Sequence, residues 1–202
     1  TDVTTAYGNQ VSFKTTSGLP VLTTTATTAT SKTISSGGNI TSDGGYTITT
    51  RGVCYSTTNS NPTISDGFVT NGTGTGAYIC TITNLSISTT YYVCAFATNS
   101  IGTSYGNVQV ITTGNGLPTV TTTDPGENIT STSIATGGNV TDDGGFTVTA
   151  RGVVYGTLPY PTLANASKVV SGSGTGYFSA NITNISPVDN TYYIRAYATN
   201  SN

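Results

Sequence analysis

The chain combines 202 residues with very few charges: 7% are charged, the net charge is −2, and histidine, tryptophan and methionine are absent. Without histidine, the commonest general base and the commonest zinc ligand are both missing, so we expect no enzyme, no metal site and no cofactor. Six lysines and arginines form no electrostatic footprint for nucleic acid, and no apolar run approaches the ~20 residues of a membrane span.

The predicted elements are short β-strands, because threonine, valine, isoleucine and tyrosine dominate the alternating segments. After an N-terminal segment, residues 1–17, a first series of strands occupies residues 18–114. Turn signals such as Asp43-Gly44-Gly45 separate these strands. The predicted strands are Val21–Thr25, Thr33–Thr41, Thr47–Ser56, Phe68–Thr70, Tyr78–Thr83, Tyr91–Thr98 and Val108–Thr113.

The second half of the chain, residues 115–202, repeats the first. Several segments return: Ser36–Gly45 as Thr136–Gly145, Arg51–Tyr55 as Arg151–Tyr155, and Tyr91–Ser100 as Tyr192–Ser201. Each unit has the ~100 residues of an immunoglobulin-like sandwich. We therefore predict an all-β protein with two tandem immunoglobulin- or fibronectin III-like β-sandwiches, residues 18–114 and 115–202.

These motifs carry a family resemblance. The alternating run from Leu85 to Asn99 resembles the E–F corner and F strand of a fibronectin type III domain, with Tyr91 and Tyr192 as tyrosine-corner residues. Both units resemble the Thr-rich repeats of giant cell-surface or secreted proteins of Bacteroidetes. The resemblance implies an extracellular, tandemly repeated protein. The chain departs from the usual pattern at Cys80 and at Cys94, where an arginine is more usual.

The two ends of the sequence carry a further signal. Residues 5–16 match 103–113, the last strand of the first unit, if one gap is allowed. The chain therefore begins with a spare last strand, whereas the second unit stops before its own. Two interpretations explain these ends. The chain is either a filament subunit whose N-terminal strand completes the second unit of the next copy, or a piece of a long tandem-repeat surface adhesin.

In the filament interpretation the partners are identical copies, joined head to tail. The N-terminal strand, Tyr7–Thr15, should lie antiparallel to the corresponding strand of the second unit, beside Tyr192–Ala198. We expect Val11 and Phe13 to fill the slot that Val108 and Val110 fill in the first unit. The predicted donor residues are Tyr7, Gly8, Asn9, Val11 and Phe13, and the predicted acceptor residues are Tyr192, Ile194, Ala196 and Ala198.

The cysteines, Cys54, Cys80 and Cys94, all lie in the first unit. In the fibronectin-like interpretation, Cys54 and Cys94 point outward from neighbouring strands, so a disulfide between them is geometrically permitted. The alternative is three unpaired thiols that act as small apolar side chains. An odd number of cysteines leaves at least one of them free or paired with another chain.

The outer sheet face of the second unit carries Tyr193, Arg195 and Tyr197, a combination able to contact a glycan. The simpler interpretation is cross-strand pairing within the sheet. The leading functional hypothesis is a structural subunit of an extracellular filament or adhesin stalk. The alternative is a glycan-binding or spacer module of a secreted polysaccharide-degrading enzyme, with surface glycans as partners.

Overall fold

The computed structural model describes residues 4–13, 17–125, 129–186 and 190–202. Every regular element in these ranges is a β-strand, and the strands form antiparallel sheets, so the all-β fold predicted from the sequence is confirmed. No helix long and apolar enough to cross a membrane occurs in the described ranges. By its contacts the chain divides into two units: Thr1–Ala26, Ser36–Cys80 and Tyr92–Gln109, and Thr27–Ser35, Thr81–Tyr91 and Val110–Asn202. This division does not follow the sheets, because β2 and most of β9 are grouped with the second unit although they pair with strands of the first series.

The first sandwich consists of two sheets. Strands β1, β3 and β2 are hydrogen-bonded in that order, with β6 also on β3, and the second sheet has the order β5-β4-β7-β8, with β9 also on β7. Its core includes Ile34, Val53 and Val93, which are 0% exposed. The strands are β1 (Val21–Thr24), β2 (Thr28–Ala29), β3 (Ile34–Ser42), β4 (Thr50–Ser56), β5 (Gly67–Thr70), β6 (Gly76–Ile82), β7 (Thr90–Thr98), β8 (Thr103–Tyr105) and β9 (Gln109–Thr112).

The second sandwich has the sheets β10-β11-β14 and β13-β12-β15. Val140, Val153 and Ile182 occupy its core and are at most 1% exposed. Its strands are β10 (Thr119–Thr123), β11 (Ser133–Asp142), β12 (Val148–Gly156), β13 (Ser167–Val170), β14 (Gly176–Thr183) and β15 (Tyr193–Asn200).

The repeated tyrosines form the predicted corners. Ser86 N donates to the hydroxyl of Tyr91, and Ser186 N donates to that of Tyr192, at 3.1 Å in both cases. Each bond connects the start of β7 or β15 to the preceding loop. The same short-range geometry is therefore present in both repeats.

One predicted strand of the first sandwich differs from the observed structure. The strand predicted as Val108–Thr113 is β9, and a further short strand, β8, precedes it and is separated from it by Gly106, Asn107 and Val108. Both strands pair with β7. The interruption changes which side chains face the core, because side chains alternate along a strand and one extra residue shifts the alternation.

Candidate acceptor edge of the second sandwich

The two sandwiches differ at one sheet edge. In the first, β7 has β4 on one side and β8 and β9 on the other. In the second, the equivalent strand β15 pairs with β12, and no other described strand lies along its outer edge. We call this outer edge of β15 the acceptor edge. It presents a row of backbone groups that is ready to bind another strand.

The inward side chains are also buried more deeply along β7 than along β15. In β7 the inward side chains Tyr91, Val93, Ala95 and Ala97 are 0–6% exposed. Their counterparts in the second sandwich, Tyr192, Ile194, Ala196 and Ala198, are all only partly buried. Because the side chains are nearly the same in the two strands, the missing cover is the cause. These are the four acceptor residues chosen from the sequence, and the structure brings them together on one face.

An inner cavity of about 260 Å³ opens beside the start of β15. Tyr192 and Ile194 line it together with core residues Ile134 and Ile185. The remaining lining residues are Pro125, Ile129, Thr130, Ser131, Ser186 and Asn190. The cavity therefore reaches the hydrophobic core from the acceptor edge, and an apolar side chain entering there is removed from water.

An outer cavity of about 500 Å³ lies on the other face of β15. Its lining comes from the loop residues Pro159, Tyr160 and Pro161 and from Tyr193, Ile194 and Arg195. At the same place in the first sandwich the cavity measures only about 160 Å³, and Tyr105, Gly106 and Val108 form part of its wall. The chain from β8 to β9 thus occupies in the first sandwich the space that is open in the second.

The segment that links β8 to β9 is held in place by contacts of Tyr105, Gly106 and Asn107. Ile64 N donates to the Tyr105 hydroxyl at 3.3 Å, and Thr24 N donates to Asn107 Oδ1 at 3.1 Å. Gly106 N donates to Ala95 O at 2.9 Å. A Cβ at position 106 would lie 2.6 Å from Thr24 N, so only glycine fits.

The register after Asn107 is set at the other end of β9. Thr113 N donates to Thr89 O, and the hydroxyls of Thr112 and Thr90 are 2.9 Å apart. Continuing this antiparallel register places Ile111 opposite Tyr91 and Gln109 opposite Val93, on the inner face.

The register corrects one prediction. Val108 faces outward, where it packs against Cys54, Cys94 and Phe96, and Val110 is 62% exposed. Val108 and Val110 therefore do not fill the inner slot, and matching Val11 and Phe13 to them is wrong. The gap in the alignment was the error. Without a gap, Tyr7-Gly8-Asn9 matches Tyr105-Gly106-Asn107, and Val11 and Phe13 match the inward Gln109 and Ile111.

The N-terminal segment is open to solvent over its described part, residues 4–13. The exposed fractions are 90% for Tyr7, 84% for Val11 and 89% for Phe13. A Cβ on Gly8 meets no atom within 4 Å. The described residues of the same chain therefore leave these large apolar side chains uncovered. Thr15, part of the predicted donor strand, lies outside the described residues.

The cysteines are free and buried. Cys54 lies directly opposite Cys94 across β4 and β7, and the two are 0% and 1% exposed. They are on the face away from the main core, as predicted, but Val108 packs over them and Cys94 Sγ lies 3.2 Å from Pro62 O. The pKa of Cys54 is raised mainly by a hydrogen bond with Cys94, and burial raises it further. Cys80 is separate, with Sγ 3.9 Å from Val69 O.

The residues proposed for glycan contact do not all share one site. Tyr193, 40% exposed, and Arg195 line the outer cavity, and Arg195 Nη1 is 3.5 Å from Pro161 O. Tyr197 is partly buried, and this burial raises its pKa. Tyr160, 80% exposed, also lines this cavity and was missed from the sequence, because nothing local to residues 157–166 shows that the loop reaches β15.

No group of three or more potential metal ligands occurs within the described ranges. No family model and no curated protein matches the chain. Among solved structures it is similar to the crystal structure of chicken CNTN1 FN1-FN3 domains, with a TM-score of 0.34 and 18% identity, over 90% of this chain and 63% of that one. The chain thus spans less than two thirds of that structure, and the likeness is one of fold alone.

Proposed function

We propose that the protein is a structural subunit of an extracellular filament or adhesin stalk, joined head to tail by strand donation. The N-terminal segment of one copy binds the acceptor edge of the next. One observation carries the proposal: Tyr7-Gly8-Asn9 repeats the Tyr105-Gly106-Asn107 sequence that fits against β7 in the first sandwich. In the first sandwich each of these residues has a tertiary contact that explains it.

Glycine at position 8 is the sharpest part of this argument. Where residues 4–13 lie in this structure, a side chain on Gly8 meets nothing within 4 Å. If Gly8 takes the place opposite Ala196 that Gly106 takes opposite Ala95, a side chain collides with β10 as it would with β1. The two sandwiches have the same hydrogen bond at this position: Ala196 N donates to Thr122 Oγ1 at 2.9 Å in the second, and Ala95 N donates to Thr24 Oγ1 at 3.0 Å in the first.

The same register accounts for the exposed apolar residues. It places Phe13 opposite Tyr192 and Val11 opposite Ile194, and both of these acceptor residues line the inner cavity. Transferring each apolar side chain from water contributes roughly 1.5–3 kcal/mol. Backbone pairing along β15 adds to this, so the joint is stronger than a rim contact of similar area.

Each copy then carries one donor and one acceptor, and such a heterologous contact propagates instead of closing. The low charge, the absence of a metal-ligand group in the described ranges and the tandem sandwiches are compatible with a structural role outside the cell. Residues that follow position 202 in a longer tandem-repeat chain are the alternative source of the completing strand. The surface also offers Tyr193 and Arg195 to a glycan, but the donated strand covers them.

Deletion of residues 1–16 tests the proposal. We expect the full chain to form uniform threads in negative-stain electron microscopy and the shortened chain to remain unassembled. Gly8→Val should raise the critical concentration at least about fivefold, because overpacking costs about 1–3 kcal/mol. Ser12→Val is the matched control and should assemble normally, because the first sandwich has the exposed Val110 at that position. Normal fibres from the shortened chain would show that strand donation is wrong and that the completing strand has another origin.

A further inference from the structure

Two neighbouring residues are exchanged between the N-terminal segment and the last strand of the first sandwich. After Tyr-Gly-Asn, the first sandwich has Val108-Gln109, whereas the N-terminal segment has Gln10-Val11. In the first sandwich the earlier position faces outward and the later one faces inward. The donated strand therefore presents a carboxamide where Val108 presents an isopropyl group.

The strands that receive these residues differ at the same place. Val108 packs against Cys54, Cys94 and Phe96, all at most 1% exposed. In the second sandwich Arg195 takes the position of Cys94 and lies opposite Val154 on β12. Arg195 is exposed at the outer cavity. Among the described residues, the hydrogen bond found for its guanidinium runs from Nη1 to Pro161 O at 3.5 Å.

We infer that Gln10 and Arg195 form a specificity-determining pair, an inference that rests on the proposed strand donation. The register that places Gly8 opposite Ala196 and Val11 opposite Ile194 places Gln10 opposite Arg195. The Gln10 carboxamide oxygen accepts a hydrogen bond from the guanidinium, which has five N–H donors. A hydrogen bond to a charged group is among the stronger ones in proteins.

The pair discriminates between the two possible acceptors. Against β7, Gln10 would place its amide over the buried Cys54, Cys94 and Phe96, where burial of an unpaired polar group is unfavourable. Against β15, the amide meets a cation at an open cavity. The N-terminal segment is thus suited to the second sandwich and unsuited to displacing β8 and β9 from the first. This selectivity keeps the assembly head to tail.

A double-mutant cycle on the full chain tests the pair, with the critical concentration for assembly as the readout. We expect Gln10→Val and Arg195→Leu each to raise it about tenfold. The double variant should return to within about threefold of the original, since it restores the apolar contact of the first sandwich. Ser12→Val is the matched control, because it adds the same side chain at the next outward position, and it should leave assembly unchanged.

The outcomes separate the two proposals. If the effects of Gln10→Val and Arg195→Leu on the critical concentration simply add, and the filaments still require Gly8, the Gln10–Arg195 pair is overturned and strand donation stays intact. Filaments indifferent to Gly8→Val would overturn strand donation and the pair with it. A second measurement uses Gln10→Glu, which should lower the critical concentration in low salt only when Arg195 is present. An equal effect in the Arg195→Leu background would also overturn the pair.

Discussion

The repeated motif residues hold the backbone in place. Arg51 donates from Nη1 to Gly74 O and Thr75 O at 3.1 and 2.9 Å, and Arg151 donates to Gly174 O and Thr175 O at 3.2 and 2.6 Å. Each guanidinium thereby fixes a glycine-rich turn against a neighbouring strand. The recurrence of this arginine in both repeats therefore has a structural explanation that requires no bound ligand.

Tyr78 offers a test at the residue scale, because the second sandwich has Phe178 in its place. The buried Tyr78 hydroxyl lies 2.8 Å from Gly52 O and 3.1 Å from Phe96 O, to which it donates. Tyr78→Phe keeps the ring, so we expect the free energy of unfolding to fall by only about 0.5–1.5 kcal/mol. Urea unfolding at neutral pH measures this, with the exposed Tyr177→Phe as control.

The same residue gives a pH dependence. Burial raises the pKa of Tyr78 above the ordinary value of 10.0. In the native state the hydroxyl therefore stays protonated where the unfolded chain has lost its proton. Its contribution to stability is complete below about pH 10 and declines as the pH rises above that value. Tyr78→Phe should lack this part of the alkaline decline, and equal declines in both proteins would contradict the assignment.

Cys54 and Cys94 give a second test. Directly opposite residues of an antiparallel pair are within disulfide reach, so a thiol–disulfide oxidant should convert this pair to a disulfide. The disulfide should stabilise the first sandwich by about 2–4 kcal/mol. Alkylation of the unfolded, oxidised chain should then label Cys80 alone until reductant is added. Labelling of all the cysteines without reductant would show that no bridge forms.

Strands β7 and β15 show how a neighbouring element determines burial. Their inward residues are almost the same, yet Val93 is fully buried and Ile194 is partly exposed, because β8 and β9 cover only β7. An edge of this kind retains unpaired backbone groups and an incomplete core. The second sandwich, as described, is therefore the less complete of the two.

A peptide of residues 4–16 should complete β15 when added to the chain that lacks residues 1–16. At a hundredfold excess over its Kd, binding stabilises the folded state by about 2.7 kcal/mol, which corresponds to roughly 10 °C in Tm for a domain of ~100 residues. Calorimetry should show the shift in one transition only. A Gly8→Val peptide is the control, and an equal shift with it would show binding without the proposed register.

At the scale of the whole molecule, the protein combines an exposed apolar segment with an incomplete sheet edge. Val11 and Phe13 are 84% and 89% exposed, and Tyr192 and Ile194, which the proposed register pairs with them, line the cavity at the sheet edge. Under the proposed strand donation, identical copies would cover both features without any additional component. The proposed strand donation would give a chain of copies, because a head-to-tail contact of this kind does not close into a symmetric pair.

The sequence by itself determined the all-β class, the repeat, the tyrosine corners and the shared inward face of Tyr192, Ile194, Ala196 and Ala198. These follow from local alternation, from glycine-rich turns and from comparison of one repeat with the other, so they require no knowledge of distant contacts. The same comparison failed at Val108 and Val110, where an assumed gap reversed the inward and outward faces.

Only the tertiary structure decided the features that depend on contacts between distant segments. Gly106 and Asn107 interrupt the last strand because Thr24, far away in the chain, leaves room for no side chain and binds the asparagine. Cys54 and Cys94 are buried because Val108 and the loop at Pro62 reach their face of the sheet. Alternation along a strand specifies two faces, but what covers each face depends on packing, which local sequence does not encode.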